Sequence, residues 1–111
     1  MTGGKASRQK GDRHERAIVN FWRALGVKCN RVPLSGASAR TSGAEYGGDI
    51  DLYAFGEEEA PIIGEAKCRG GGFKQLYAWL GTQNEFLIVK QDKAERLYVI
   101  PERVMRRFVK P

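Results

Sequence analysis

Three charged residues in the middle of the chain have the types and spacing of a metal-dependent hydrolytic site. Glu65 and Lys67 lie in "PIIGEAKC", and Asp51 lies in "DIDLYAF". Side chains alternate between the faces of a strand, so Glu65 and Lys67 share a face, and Asp51 can meet them from a neighbouring strand. Carboxylates held this close repel unless a cation lies between them. Mg²⁺ prefers such oxygen ligands, and Lys67 can orient a bound water or offset charge on a phosphorus centre.

The Glu-x-Lys pattern by itself has an ordinary explanation. An isolated pair of this kind is most often a salt bridge on the exposed side of an antiparallel strand. The charge distribution favours the functional interpretation, because residues 45–65 hold seven of the 13 acids and no Lys or Arg, in a chain of net charge +6. Close to phosphate, such a concentration of acid is unfavourable unless cations screen it.

The chain is long enough for one hydrophobic core and short for two. Its 111 residues are 41% hydrophobic and 29% charged, which is typical of a single globular domain. No apolar run approaches the roughly 20 residues that span a bilayer, and the N-terminus lacks the apolar centre of a signal peptide. We therefore expect an intracellular, cytoplasmic protein with no membrane partner, in which Cys29 and Cys68 are reduced thiols within core strands.

Both ends of the chain are basic. Residues 1–31 contain eight Lys or Arg against two acids, and residues 103–111 add four more basic residues. Ends of this kind are suited to binding a polyanion. Residues 1–11 have no hydrophobic periodicity, and we interpret them as a flexible basic arm that precedes a single domain over residues 12–111.

The hydrophobic pattern predicts eight elements in the order α-β-β-β-α-β-β-α. The first helix starts at Asp12 as its N-cap and ends before Gly26, and helical spacing places Glu15 at the edge of its apolar face, where an acid requires a partner. The remaining predictions are strands over residues 27–32, 49–55, 61–68, 85–90 and 96–100, a helix over 73–80, a helix after Pro101 and a long loop over 33–48. This order indicates an α/β fold with a central mixed β-sheet flanked by helices.

The order and spacing of four short segments resemble the PD-(D/E)XK nuclease superfamily, and within it the Holliday junction resolvases of archaeal type. The segments are "QKGDRHERAIV", "NRVPLSG", "DLYA" and "GEAK", and together they cover roughly residues 9–69. The resemblance implies a restriction-endonuclease-like fold and Mg²⁺-dependent cleavage of DNA, most specifically of four-way junctions, by a homodimer. Mn²⁺ is expected to substitute for Mg²⁺.

The same resemblance assigns roles to individual residues. Asp51, Glu65 and Glu15 are expected to be the metal-site acids, Lys67 the catalytic lysine, and Ser35 a catalytic loop residue near the scissile phosphate. The candidates for contact with DNA are Arg16, Arg31, Lys10, Arg13 and Arg69. Without the resemblance, Arg16 and Arg31 could equally be solvated surface charges, and Ser35 could be ordinary turn chemistry.

The choice between two neighbouring aspartates stays open at this stage. Asp49 shares a face of its strand with Asp51. We choose Asp51 as the ligand because "DLYA" fits the resolvase segment, which leaves Asp49 as a neighbour that supports the site or as a further ligand. The substrate is also open: a nickase, a repair or restriction nuclease, and an inert DNA-binding module of the same fold are the alternatives.

Two surfaces are candidates for the interface of a homodimer. One is the second helix, with Tyr77, Trp79 and Leu80, and the other is the C-terminal helix, with Met105 and Phe108. The alternative is that these residues fill the core of the monomer, which we favour for Leu80.

Overall fold

The computed structural model describes residues 3–32 and 49–111. The elements are α1 (Gly3–Ala24), β1 (Cys29–Arg31), β2 (Ile50–Leu52), β3 (Ile62–Gly64), α2 (Lys74–Leu80), β4 (Leu87–Val89), β5 (Leu97–Val99) and α3 (Glu102–Met105). The predicted order of elements is confirmed, and the fold is a mixed α/β fold. The long loop predicted over residues 33–48 lies outside the described residues.

The strands form two antiparallel sheets in the part of the chain that the structure describes. The first sheet has the order β1-β2-β3 and the second pairs β4 with β5. The sequence predicted one mixed sheet instead. Consecutive strands such as β2 and β3, or β4 and β5, are joined by connections too short for the crossover that a parallel pair requires, so they pair as hairpins.

The chain forms two compact units. The first consists of Met1–Cys68 with Lys110–Pro111, and the second consists of Arg69–Val109. Whether the two units fold as the single domain predicted over residues 12–111 stays a prediction. The first unit contains α1 and the three-stranded sheet, and the second contains α2, the β4–β5 hairpin and α3. Among the described residues, no helix is both long and apolar enough to cross a membrane.

The core of the first unit lies between α1 and one face of the sheet. Its buried side chains are Val19, Trp22, Val27, Cys29, Ile50, Leu52 and Ala54. Val19 and Trp22 are three residues apart, so they project from the same side of α1. Ile50 and Leu52 are buried on either side of the half-buried Asp51, and the alternation along β2 therefore turns Asp51 to the opposite face.

The first helix begins nearer the N-terminus than the sequence pattern suggested. It starts at Gly3, and Asp12 lies in its interior, so Asp12 is not an N-cap. Residues 3–11, which we interpreted as a flexible arm, are the first turns of α1. They contain no proline and several strong helix formers, and adding residues to an existing helix is far easier than nucleating one. The predicted end is confirmed, because Gly26 adopts a φ of +85° just after the helix, as a C-terminal glycine does.

The third strand is shorter and more exposed than predicted. Ile62 and Ile63 are 40% and 58% exposed, because β3 has one strand neighbour among the described residues. Glu65, Lys67 and Cys68 follow the strand instead of lying within it. Cys29 is buried and Cys68 is exposed, so the prediction of two core thiols is correct for Cys29 alone. Burial raises the pKa of the Cys29 thiol, a change that Arg23 opposes and Asp51 reinforces.

The second unit buries few of its large apolar side chains. Leu80 and Val104 are buried, whereas Tyr77, Trp79 and Phe108 are exposed. The expectation that Leu80 belongs to the core is confirmed. An apolar groove of about 410 Å³ separates α2 from the end of β5, and its lining includes Phe73, Leu76, Tyr77, Leu80, Val99, Ile100 and Pro101.

Candidate active site

The pairing of β2 with β3 places Asp51 beside the segment that carries Glu65. Asp51 lies opposite Ile63, and Ile50 lies opposite Gly64. Asp49 is bonded to the end of β3, since its N–H donates to the carbonyl of Gly64 at 2.7 Å. Glu65 directly follows β3, two residues beyond Ile63, and the alternation of β3 carried one residue past its end would place Glu65 on the face of Asp51 at the diagonal position.

Asp49 holds the segment that carries Glu65 and Lys67. Its Oδ2 accepts a hydrogen bond of 3.0 Å from the backbone N–H of Ala66, which lies between the two charged residues. Its own carbonyl accepts from the N–H of Val32 at 2.9 Å. Asp49 is therefore tied to the chain on both sides of it, and it fixes the position of the residues that follow β3.

Glu65 and Lys67 form an ion pair at the exposed end of this arrangement. Lys67 Nζ is 2.8 Å from Glu65 Oε2, and the side chains are 68% and 46% exposed. Solvent screens such a pair, so it contributes little to stability. Either residue can therefore be replaced without a large effect on folding, which allows its function to be tested separately.

Glu15 has a partner on the other face of the sheet. Its Oε1 lies 3.1 Å from Nε and 3.0 Å from Nη2 of Arg31, and Nη2 also lies 2.8 Å from Asp12 Oδ1. Arg31 is paired with Ile50 in the sheet register, so its side chain emerges on the face where α1 packs. The expectation that Glu15 requires a partner is confirmed, and the partner is Arg31.

The ion pairs of Arg31 also raise the pKa of its guanidinium. Burial by itself lowers the pKa of the guanidinium, but the hydrogen bonds and charges of Glu15 and Asp12 outweigh this, and the pKa of Arg31 is raised. Arg31 thus remains a cation whose charge is offset by two carboxylates. Its ion pairs join β1 to α1.

The residues on β2 and after β3 fit a magnesium ion by their chemistry. Mg²⁺ takes oxygen ligands, keeps several waters and is commonly held by one or two carboxylates together with a phosphate. Asp51 and Glu65 supply two such carboxylates. Within residues 9–32 and 49–111, no group of three Asp, Glu, His or Cys side chains is arranged to hold a metal ion, and Glu15 is bound to Arg31.

The candidates for contact with DNA are distributed over both units. Arg13 and Arg16 are exposed on α1, and Lys10 is half-buried there. Arg69 belongs to the second unit, where its guanidinium carbon lies 5.6 Å from the ring centre of Phe73. Ser35 lies outside the described residues, so its role stays a prediction.

Two polar residues that the sequence pattern did not single out are joined near this site. Arg23 donates from Nε to the carbonyl of Cys29 at 2.9 Å and from Nη2 to Oδ1 of Asn30 at 3.0 Å. Asn30 lies directly opposite Asp51 in the sheet. Helical spacing alone could have indicated Arg23, because it lies seven residues, or two turns, after Arg16 on the same side of α1.

The ion pairs of Arg31 lead to a prediction about stability. Replacing Arg31 with Gln should lower the free energy of unfolding by about 1–2 kcal/mol, because Glu15 loses a charged partner while solvent still screens the site. Chemical denaturation of the parent and the variant measures the difference. The matched control is Arg16→Gln on the exposed side of α1, which should change stability by less than about 0.5 kcal/mol. Equal effects of the two substitutions would contradict the structural role of Arg31.

Comparison with known proteins adds no further constraint. No protein family model matches the chain, no curated protein is detectably similar to it, and no solved structure matches it. The function must therefore be argued from the geometry and the chemistry of the residues themselves.

Proposed function

We propose that the protein is a Mg²⁺-dependent endodeoxyribonuclease of restriction-endonuclease-like fold that acts most specifically on four-way DNA junctions. The observation that carries the proposal is that Asp51 lies on the strand paired with β3, which leads directly into Glu65, and that Lys67 forms an ion pair with Glu65. The resemblance of the four sequence segments to junction resolvases supports the same activity and supplies the preference for branched DNA.

Each residue of the arrangement has a distinct part in the proposed reaction. Asp51 and Glu65 would hold a magnesium ion, which would supply positive charge that stabilises negative charge on the phosphate and makes a water molecule more acidic. Lys67 directs its ammonium at the charge that develops on the phosphate, or orients the attacking water. Asp49 keeps Glu65 and Lys67 in place through its bond to Ala66. The resemblance alone proposes Glu15 as a third acid of the site: its carboxylate lies on the face where α1 packs and is held by Arg31.

Electrostatics favour an enzyme over an inert DNA-binding module of the same fold. A protein that only binds DNA would gain affinity by losing acids that repel phosphate. This chain instead carries Asp49, Asp51 and Glu65 next to one another on paired segments. An ordinary surface salt bridge would explain the contact of Glu65 with Lys67, but it would not explain the two aspartates beside it.

The number of strand cuts that junction resolution requires favours a dimer of the protein. Resolution of a four-way junction requires one cut in each of two strands, and each chain supplies one candidate site. Two symmetric cuts are made most simply by two copies related by a twofold axis. Tyr77 and Trp79 are exposed on α2, and we propose this helix as part of the contact between the copies.

Cleavage of defined substrates tests the proposal directly. With Mg²⁺, the protein should cut an immobile four-way junction at paired positions in opposing strands, in preference to a flap or a linear duplex of the same sequence. Gel analysis of end-labelled strands detects the cuts, and light scattering should give about twice the mass of one chain. A monomer that cuts linear duplex as readily as junctions would exclude the resolvase and leave a nuclease of other specificity. Absence of cleavage on all three substrates, with DNA binding retained, would favour the inert module.

A further inference from the structure

A basic groove runs along the first unit between α1 and β1. Its volume is about 500 Å³, and its described lining consists of Arg16, Val19, Asn20, Arg23, Asn30 and Arg31. Three of these six residues are cations and none is an acid. Such a lining favours an anionic ligand, and groups that combine guanidinium and amide donors are well suited to phosphate.

The helical wall of the groove is a continuous polar stripe. Arg16, Asn20 and Arg23 fall within about 60° of one another around α1, since each residue advances the helix by about 100°. All three side chains are exposed. Arg31 is already paired with Glu15 and Asp12, so Arg16 and Arg23 supply the net positive charge of the groove.

The guanidinium of Arg23 is fixed by hydrogen bonds before any anion binds. Its bonds to the carbonyl of Cys29 and to Oδ1 of Asn30 use two of the five N–H donors of the guanidinium and fix its plane. A side chain that is already ordered loses less entropy when it binds a ligand. Because Oδ1 of Asn30 accepts from Arg23, the amide nitrogen of Asn30 presents its own donors on the other side of the amide.

The groove adjoins the candidate active site through the sheet register. Asn30 is directly opposite Asp51, and side chains at such positions have their Cβ atoms roughly 4.5–5.5 Å apart. A phosphate held by Arg23 and Asn30 would therefore lie beside, and not on, the position of a phosphate held at Asp51 and Glu65. Successive phosphates along one DNA strand are neighbours in the same way.

We propose that Arg23 and Asn30, with Arg16 and Asn20, form a subsite for a DNA backbone phosphate next to the one that is cleaved. This inference rests on the proposed function and adds a specific contact to it. Arg23 and Asn30 bind and position the strand, whereas Asp51, Glu65 and Lys67 carry out the chemistry. Loss of the subsite should therefore weaken DNA binding and raise KM more than it lowers kcat at saturating DNA.

A purely structural role for Arg23 makes a different prediction. Its bond to the carbonyl of Cys29 covers the edge of β1 that has no strand neighbour in the part of the chain that the structure describes, and such cover protects a sheet from unwanted pairing. If that were its whole purpose, Arg23→Gln would change stability or association while leaving the affinity for DNA and its salt dependence unchanged.

The test compares three variants by fluorescence anisotropy of a labelled four-way junction, without Mg²⁺, over a range of salt concentrations. Arg23→Gln and Asn20→Asp should each weaken binding about tenfold, and Arg23→Gln should reduce the slope of log K against log salt by about 0.9, the value for one lost phosphate contact. The control is Arg96→Gln, at an exposed position of the second unit that does not line the groove. It removes the same charge as Arg23→Gln and should leave the slope of log K against log salt unchanged. Asn20 is exposed on the helix surface, so Asn20→Asp tests the groove even if Arg23→Gln does not fold.

The outcomes separate this inference from the proposed function. If the parent binds and cuts DNA but Arg23→Gln and Asn20→Asp behave like Arg96→Gln, the subsite is excluded and the nuclease stands. If the parent neither binds nor cuts DNA, the proposed function fails and the subsite fails with it. Titration with inorganic phosphate tests for a free anion: a Kd near 1 mM or tighter that is lost in Arg23→Gln, together with unchanged DNA binding, would overturn the proposal.

Discussion

Replacing Glu65 with Gln, or Asp51 with Asn, should abolish DNA cleavage while the protein remains folded. Each substitution removes a negative charge that the site needs to hold its metal ion, and the expected loss of kcat is at least about 10³-fold. Lys67→Ala should have a comparable effect, because in the proposed reaction it removes the ammonium that offsets charge on the phosphate. Cleavage rates at saturating DNA measure the loss, and circular dichroism verifies that the fold is retained.

The neighbouring aspartate provides the matched control. Asp49→Asn removes the same charge as Asp51→Asn, but its side-chain oxygen can still accept the hydrogen bond from Ala66. It should retain activity within about tenfold of the parent, since its part is to position the segment. A folded Glu65→Gln protein with near-normal activity would refute the assignment of the site. Loss of activity in Asp49→Asn equal to that in Asp51→Asn would make Asp49 a ligand as well.

Removal of divalent metal should eliminate cleavage, while DNA binding should be weakened but still measurable. Chelation should reduce the rate below detection, and Mg²⁺ or Mn²⁺ should restore it, because the carboxylates of Asp51 and Glu65 alone repel the phosphate. A second measurement is independent of activity: Mg²⁺ should raise the unfolding temperature of the parent and have a much smaller effect on Asp51→Asn. Undiminished cleavage in the presence of chelator would contradict the metal-dependent mechanism.

The same electrostatics predict the effect of Asp51 on binding. Without metal, Asp51→Asn should bind DNA at least as tightly as the parent does, because a charge that repels phosphate has been removed. Anisotropy measurements in chelator test this, with Glu102→Gln on α3 as a control for a change in net charge far along the chain. Marked weakening in Asp51→Asn alone would indicate that Asp51 serves another purpose.

Local patterns in the sequence were sufficient to predict the order of the elements. Apolar residues recur at helical spacing around Val19 and Trp22 and alternate around Asp51, and these periods are properties of short segments. Gly26 marks the end of α1 for an equally local reason, because glycine tolerates a positive φ. The start of α1 was not predictable in this way, since residues 3–11 have neither a cap nor an apolar stripe to distinguish helix from coil.

Contacts between distant segments could not be predicted from the same patterns. The sequence indicated that Glu15 needs a partner, but Arg31 is 16 residues away, and the match depends on how α1 packs on β1. The exposure of β3 was likewise missed, because an apolar run has the same composition in the middle of a sheet as at its edge. The hydrogen bond from the N–H of Ala66 to Asp49 depends on the register of β2 and β3. A shift of one residue in that register would turn every side chain of the strand to the opposite face.

The sequence by itself determined which side chains could carry out the chemistry and which of them share a face of one strand, because the period of a strand is a local property. Only the tertiary structure decided which of these groups meet. It set Asp51 beside the segment of Glu65 through the pairing of β2 with β3, directed Glu15 to Arg31 on the other face, and brought Arg23 to Asn30 beside Asp51. The physical reason is that ion pairs and hydrogen bonds act over a few ångströms, and packing alone determines which residues come within that distance.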